Sequence, residues 1–98
     1  MPYTEAEMRS WGYVAWRCLQ DGTVLAVSPM MFGNGRLYVD VYNDGWIDCF
    51  CYDSVEKAIQ SMNTYDPAVE REPTGWKRHP ATGRRRPDGD TTREYVAM

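Results

Sequence analysis

The sequence predicts an α+β fold: a four-stranded antiparallel β-meander with one helix packed on one face, a short N-terminal helix and an extended Arg/Pro/Gly-rich C-terminal tail. Three observations lead there. Runs rich in strand formers, "YVAWRCL", "TVLAVS" and "RLYVDVYNDGWIDCFCY", are punctuated by the turn-forming stretches Asp21-Gly22, Gly33-Asn34-Gly35 and Asn43-Asp44-Gly45. Val55, Ala58, Ile59 and Met62 recur at helical spacing. From Asp66 onward the chain is rich in Pro, Gly and Arg and poor in aliphatic residues, so no second hydrophobic core is expected there. The 98 residues thus form one compact domain over 1–65 and a tail over 66–98, packed on the domain or partly ordered.

Each element has its own signal. "TEAE" at 4–7 fits a capping box, Thr4 accepting from a backbone N–H and Glu7 reaching back, so a helix begins there and runs to about Ser10. Asp21-Gly22 suits a two-residue hairpin turn, which sets Cys18 opposite Leu25 and Trp16 opposite Val27 and gathers Val14, Trp16, Cys18, Leu25 and Val27 on one apolar side. Pro29 cannot donate to a ladder, which predicts an edge or a bulge in the second strand. For the last hairpin, a three-residue loop with Gly45 in the left-handed position pairs Val41 with Ile47, Val39 with Cys49 and Leu37 with Cys51; a two-residue loop at Asp44-Gly45 mixes polar and apolar partners. Asp53 with Glu56 reads as a second capping box, opening the helix whose Val55, Ala58, Ile59, Met62 stripe packs on the Leu37, Val39, Val41, Ile47, Cys49, Cys51 face; Asp66-Pro67 ends it.

In that register the opposite sheet face carries Tyr38 against Phe50, Tyr42 against Trp46, Arg36 against Tyr52, and Asp40 directly against Asp48. Opposed like charges on neighbouring strands cost up to about 1 kcal/mol, so a cation belongs there. Two carboxylates framed by rings suit a guanidinium or ammonium group. Tyr38, Asp40, Tyr42, Trp46, Asp48, Phe50 and Tyr52 are therefore the candidate partner-binding surface. Its occupant is either the chain's own tail, through Trp76, Arg84, Arg85 and Arg86, or an external protein, and an exposed aromatic face also suits a homodimer.

The net charge of −3 conceals an asymmetry: residues 1–65 sum to −4 and residues 66–98 to +1, with "KRHPATGRRR" carrying five positive charges and no negative one. Trp76, Lys77, Arg78, Arg84, Arg85 and Arg86 are the alternative, a nucleic-acid contact that grips phosphates and stacks a base. The acidic body repels a polyanion, and the adjacent "DGD" partly neutralises the stripe, so nucleic acid is the lesser reading.

Catalysis and metal binding have thin support. His79 lies between Arg78 and Pro80 with no serine or cysteine beside it, and Asp40 with Asp48 on a flat sheet lack the cleft that separates two acidities. Cys18, Cys49, Cys51 and His79 lack the paired spacing of structural zinc ligands, so the cysteines read as small apolar residues and neither metal nor cofactor is expected. Three cysteines, no apolar run of about 20 residues and no signal-peptide pattern point to a cytoplasmic protein without a membrane segment.

The closing block, Gly75-Trp76-Lys77-Arg78-His79-Pro80-Ala81-Thr82-Gly83-Arg84-Arg85-Arg86-Pro87-Asp88-Gly89-Asp90 and then Glu94-Tyr95-Val96, resembles one in small uncharacterised proteins of bacteriophages and prophages. The similarity extends upstream through "GYVAWRCLQDGTVLAVSPMMFGNGRL". What it implies is a phage setting, in which small acidic single-domain proteins bind and block host machinery, including CRISPR effector complexes. It assigns no functional residue. Sequence alone therefore leads to a non-enzymatic binding protein, an inhibitor of a host defence complex of anti-CRISPR type, acting by protein–protein contact in the host cytoplasm.

Overall fold

A computed structural model of the chain describes residues 1–43, 45–76, 83–85 and 94–96. Strands β1 (Ala15–Cys18), β2 (Val24–Pro29), β3 (Gly35–Val39) and β4 (Asp48–Tyr52) form an antiparallel sheet in the order β1-β2-β3-β4. Helix α1 (Glu5–Ser10) precedes the sheet and α2 (Val55–Thr64) follows it, so the α+β meander expected from the sequence is the fold observed. A separate two-stranded ladder joins β5 (Gly83–Arg85) to β6 (Glu94–Val96), and β6 runs beside β4.

The helices start where side chains satisfy their first backbone donors. Thr4 Oγ1 accepts from Glu7 N at 3.1 Å while Glu7 Oε1 accepts from Thr4 N at 2.9 Å, the expected reciprocal cap. At α2 the cap is Ser54 rather than Asp53: Ser54 Oγ accepts from Lys57 N at 3.1 Å, and the Asp53 carboxylate, one residue too early to reach that donor, instead pairs with Lys57 Nζ at 3.0 Å. At the far end, Arg17 Nη1 donates to the carbonyls of Met62 and Tyr65, both at 2.8 Å, which answers orphan acceptors and places positive charge at the negative end of the helix.

The two outer hairpins exchange their expected turns. β1 and β2 pair Cys18 with Val24, closed by a three-residue loop in which Leu19 N donates to Thr23 O and Gly22 takes φ 91. Asp21 Oδ1 accepts from Thr23 N at 2.9 Å and holds that geometry. β3 and β4 pair Val39 with Asp48, Tyr38 with Cys49 and Leu37 with Phe50; the loop closes between Tyr42 and Gly45, which exchange both backbone bonds at 3.0 and 2.8 Å. Among the described residues there, Asp40 (φ 61) and Asn43 (φ 49) are left-handed and Gly45 is not. The expected pairings of Asp40 with Asp48 and of Tyr38 with Phe50 are therefore corrected, since a one-residue slip sends alternate side chains to the other face.

The consequence is a sheet buried on both sides. Toward α2, Leu25, Val27, Leu37, Phe50 and Tyr52 pack with Ala58, Met62 and Tyr65. Toward α1, Val24, Ala26, Tyr38, Val41 and Cys49 pack with Met8 and Tyr13, bordered by Tyr3, Trp11, Trp16 and Trp46. The helix stripe thus meets Leu37 and Val39 as expected, but Val41 and Cys49 belong to the other core and Ile47 stays exposed. Asp40 breaks the alternation that would have kept Val39 and Val41 together. Pro29 ends an interior strand: it pairs with Gly35, while β1 reaches only to Val27, so its missing N–H disturbs no ladder.

Residues 66–76 extend the α2-side core. Pro73 is fully buried, and Trp76 sits 5.8 Å from the Phe50 ring. Tyr52 Oη donates to Ser61 Oγ at 2.8 Å, and Ser61 Oγ donates to the Thr74 carbonyl at 2.9 Å, fastening this segment to the helix and the sheet.

Candidate functional site

The seven residues read as one surface are dealt to three places. Phe50 and Tyr52 lie in the α2-side core. Tyr38 lies in the α1-side core, its ring 5.2 Å from Tyr13 and 5.6 Å from Trp46, and its hydroxyl accepts from Ser28 Oγ at 2.9 Å. Asp40, Tyr42, Trp46 and Asp48 collect at the β3–β4 end of the sheet, where Tyr42 is 50% exposed beside the 63% exposed Ile47. Asp48 Oδ1 accepts from its neighbour Cys49 N at 2.9 Å. What covers the Tyr38 face is α1 with its aromatic flank: Tyr3 and Trp11 meet edge to face at 5.3 Å, and Arg9 stacks 5.3 Å over Trp16.

Of the alternative set, Trp76 packs half-buried on Phe50. Arg84 and Arg85 belong to the backbone of β5, whereas Lys77, Arg78 and Arg86, like His79, fall outside the described residues. Among the described residues no three His, Cys, Asp or Glu side chains gather as metal ligands, and no helix is long and apolar enough to cross a membrane. The three thiols do share a sheet face, as expected of Cys49 and Cys51, but it is the α1 side.

Among the described residues, two of the surface depressions bear on chemistry. One, of about 380 Å³, is lined by Tyr52, Lys57, Gln60, Ser61, Thr64 and Thr74. Burial pushes the Tyr52 hydroxyl up to about 12, the Ser61 hydrogen bond pulling the other way, so at neutral pH its proton is retained, with Ser61 Oγ and the Thr74 carbonyl both within reach. The other, of about 600 Å³, runs between the β1–β2 loop and Asp66-Pro67-Ala68, where Arg17 is already held by two carbonyls. Among the described residues, neither lining brings together a nucleophile and a free base.

The feature that reasoning from sequence passed over is the β2–β3 loop. Met30 N donates to Asn34 O at 2.7 Å, and Met31–Gly33 form a single 3-10 turn between the strands. Phe32 occupies its tip at φ 62 and ψ 30, 92% exposed, with Met31 63% exposed beside it. A phenylalanine in left-handed backbone is uncommon and strained, and in this position it holds its ring out into solvent. The signal in the sequence was the apolar run "MMF" set directly against the turn residues "GNG".

Comparison with known proteins finds no matching family model, no matching curated protein and no matching solved structure.

Proposed function

We propose that this chain is a non-enzymatic protein-binding module that docks through the β2–β3 loop, with Phe32 as a knob and Met31 as its flank. The observation that carries this is a large aromatic side chain, 92% exposed, on strained backbone at the tip of the β2–β3 hairpin. Strained conformations persist where the surrounding structure over-determines them and concentrate at recognition sites. Aromatic anchors entering a partner's pocket dominate interface energetics. The body's charge of −4 over residues 1–65 favours a pocket with a basic rim, because complementary fields steer association. The likeness of the closing block to phage proteins suggests the setting, in which the partner is a host protein belonging to a defence complex.

The test captures interacting proteins from host lysate on the full chain and on three variants. One stoichiometric partner retained by Tyr42→Ser and Ile47→Ser but lost with Phe32→Ser, itself melting no lower than the parent, supports the reading. Retention by Phe32→Ser and loss with the Tyr42→Ser, Ile47→Ser pair moves the contact to the β3–β4 end. A labelled oligonucleotide shifted at physiological salt, and released when Arg84, Arg85 and Arg86 are all replaced by Ala, replaces the protein partner with nucleic acid.

A further inference from the structure

Strand β1 is an open edge of the sheet. The order β1-β2-β3-β4 gives it one neighbour, and the β5–β6 ladder touches the sheet at β4, three strands away. The ladder fixes which way its backbone groups point. Leu19 N donates to Thr23 O, so Ala15 and Arg17, on the same alternation, also turn toward β2; across β2, Val24 O accepts from Val41 N, as that alternation requires. Trp16 and Cys18 therefore direct their N–H and C=O groups away from β2, and no backbone partner meets them among the described residues. Cys18 is exposed.

The depression of about 600 Å³ lies along that edge. Arg17 reaches toward α2, where Nη1 donates to the carbonyls of Met62 and Tyr65, and Cys18 lies on the α1 side, yet both line the depression. Successive side chains of a strand point to opposite faces, so a hollow touched by both sits at the edge rather than over one face. Its rim is acidic. Asp21 Oδ1 accepts from Thr23 N at 2.9 Å and Asp66 Oδ1 from Ala68 N at 3.0 Å, which fixes both carboxylates, while the Arg17 guanidinium already serves two carbonyls.

We propose that the β1 edge receives an extended segment of another protein as an added strand, paired through the backbone of Trp16 and Cys18, with a lysine or arginine of that segment seated in the depression that Asp21 and Asp66 border. Added strands draw affinity from main-chain hydrogen bonds and specificity from hollows that receive alternate side chains. The charge of −4 over residues 1–65 favours a basic segment and disfavours a second copy, whose body carries the same charge. The site does not depend on what the Phe32 loop binds.

The experiment titrates the full chain with an end-blocked threonine–valine hexapeptide carrying one arginine, following the backbone amide resonances. A saturable shift led by the Trp16 and Cys18 amides is expected. It vanishes with an N-methylated peptide that lacks the donors of one edge, and Asp21→Asn weakens it about two- to fivefold, the worth of an exposed ion pair. Cys18→Pro abolishes it at an unchanged melting temperature, because the N–H removed does not face β2. Should that variant melt early, the N-methylated peptide and Asp21→Asn decide. No saturable shift, a shift centred elsewhere, a shift that survives in folded Cys18→Pro, or equal affinity for a peptide with glutamate in place of arginine overturns the proposal. So does slow exchange of the Trp16 and Cys18 amides in the free, dilute chain, which means that the chain covers its own edge. A doubling of mass with concentration that Cys18→Pro abolishes overturns it too, making the occupant a second copy.

Discussion

Gly35 is a glycine for steric rather than conformational reasons. A Cβ there would lie 2.8 Å from both Ser54 O and Val55 Cα, backbone atoms at the start of α2 that cannot swing aside. Gly35→Ala is therefore expected to lower stability by about 1–3 kcal/mol, read as a fall in the urea midpoint at unchanged slope. Tyr52 gives a second residue-scale outcome. Its hydroxyl titrates at about 12 in the fold against 10.0 ordinarily, so between those values the folded chain holds a proton that the unfolded chain has lost. Stability is unaffected by this group below pH 10.0 and falls as pH rises toward about 12, and Tyr52→Phe should remove that part of the slope in a series of urea melts. At this scale the sequence was readable where a rule concerns three or four consecutive residues, as with Thr4 and Glu7. Phe32 was unreadable because a positive φ on a bulky residue breaks the local preference that such reading rests on.

At the scale of elements, the cap of α2 separates two neighbouring side chains with different work. Ser54→Ala removes the acceptor for Lys57 N and should cost about 1 kcal/mol. Loss of the solvent-exposed Asp53–Lys57 pair in Asp53→Ala should cost about 0.5 kcal/mol at most. Thermal melts of the two single variants decide which residue opens the helix. The number, order and direction of the strands β1 to β4 were legible, since strand formers and turn residues alternate along that part of the chain. The pairing within hairpins was not. Both outer turns contain residues suited to loops of two or three, and counting from glycine assumed that Gly45 takes the left-handed place that Asn43 and Asp40 fill. A better clue was available in "TVLAVS": an unbroken apolar run in a strand signals burial on both faces, whereas the one-sided sheet expected there calls for alternation.

For the molecule as a whole, the register decides how much sheet is left for recognition. With α1 on one side and α2 on the other, the seven-residue aromatic and acidic surface reduces to its β3–β4 end, and exposed apolar bulk is found at loop tips instead. That outcome lay beyond sequence reasoning because it turns on a slip of one residue in a single hairpin. The tail begins inside the packed body: truncation after Asp66 removes buried Pro73, the Trp76–Phe50 contact and the Thr74 carbonyl that serves Tyr52 and Ser61. The truncated chain is expected to lose at least about 2 kcal/mol, seen as an earlier urea midpoint with a smaller slope.

β2 contributes Leu25 and Val27 to one core and Val24 and Ala26 to the other. A strand shared in this way couples the two halves mechanically, so neither layer can peel off while the other keeps its packing intact. The amides of Val24 to Val27 should accordingly exchange with solvent only through global unfolding, and damage done beneath α1 should register in the resonances beneath α2.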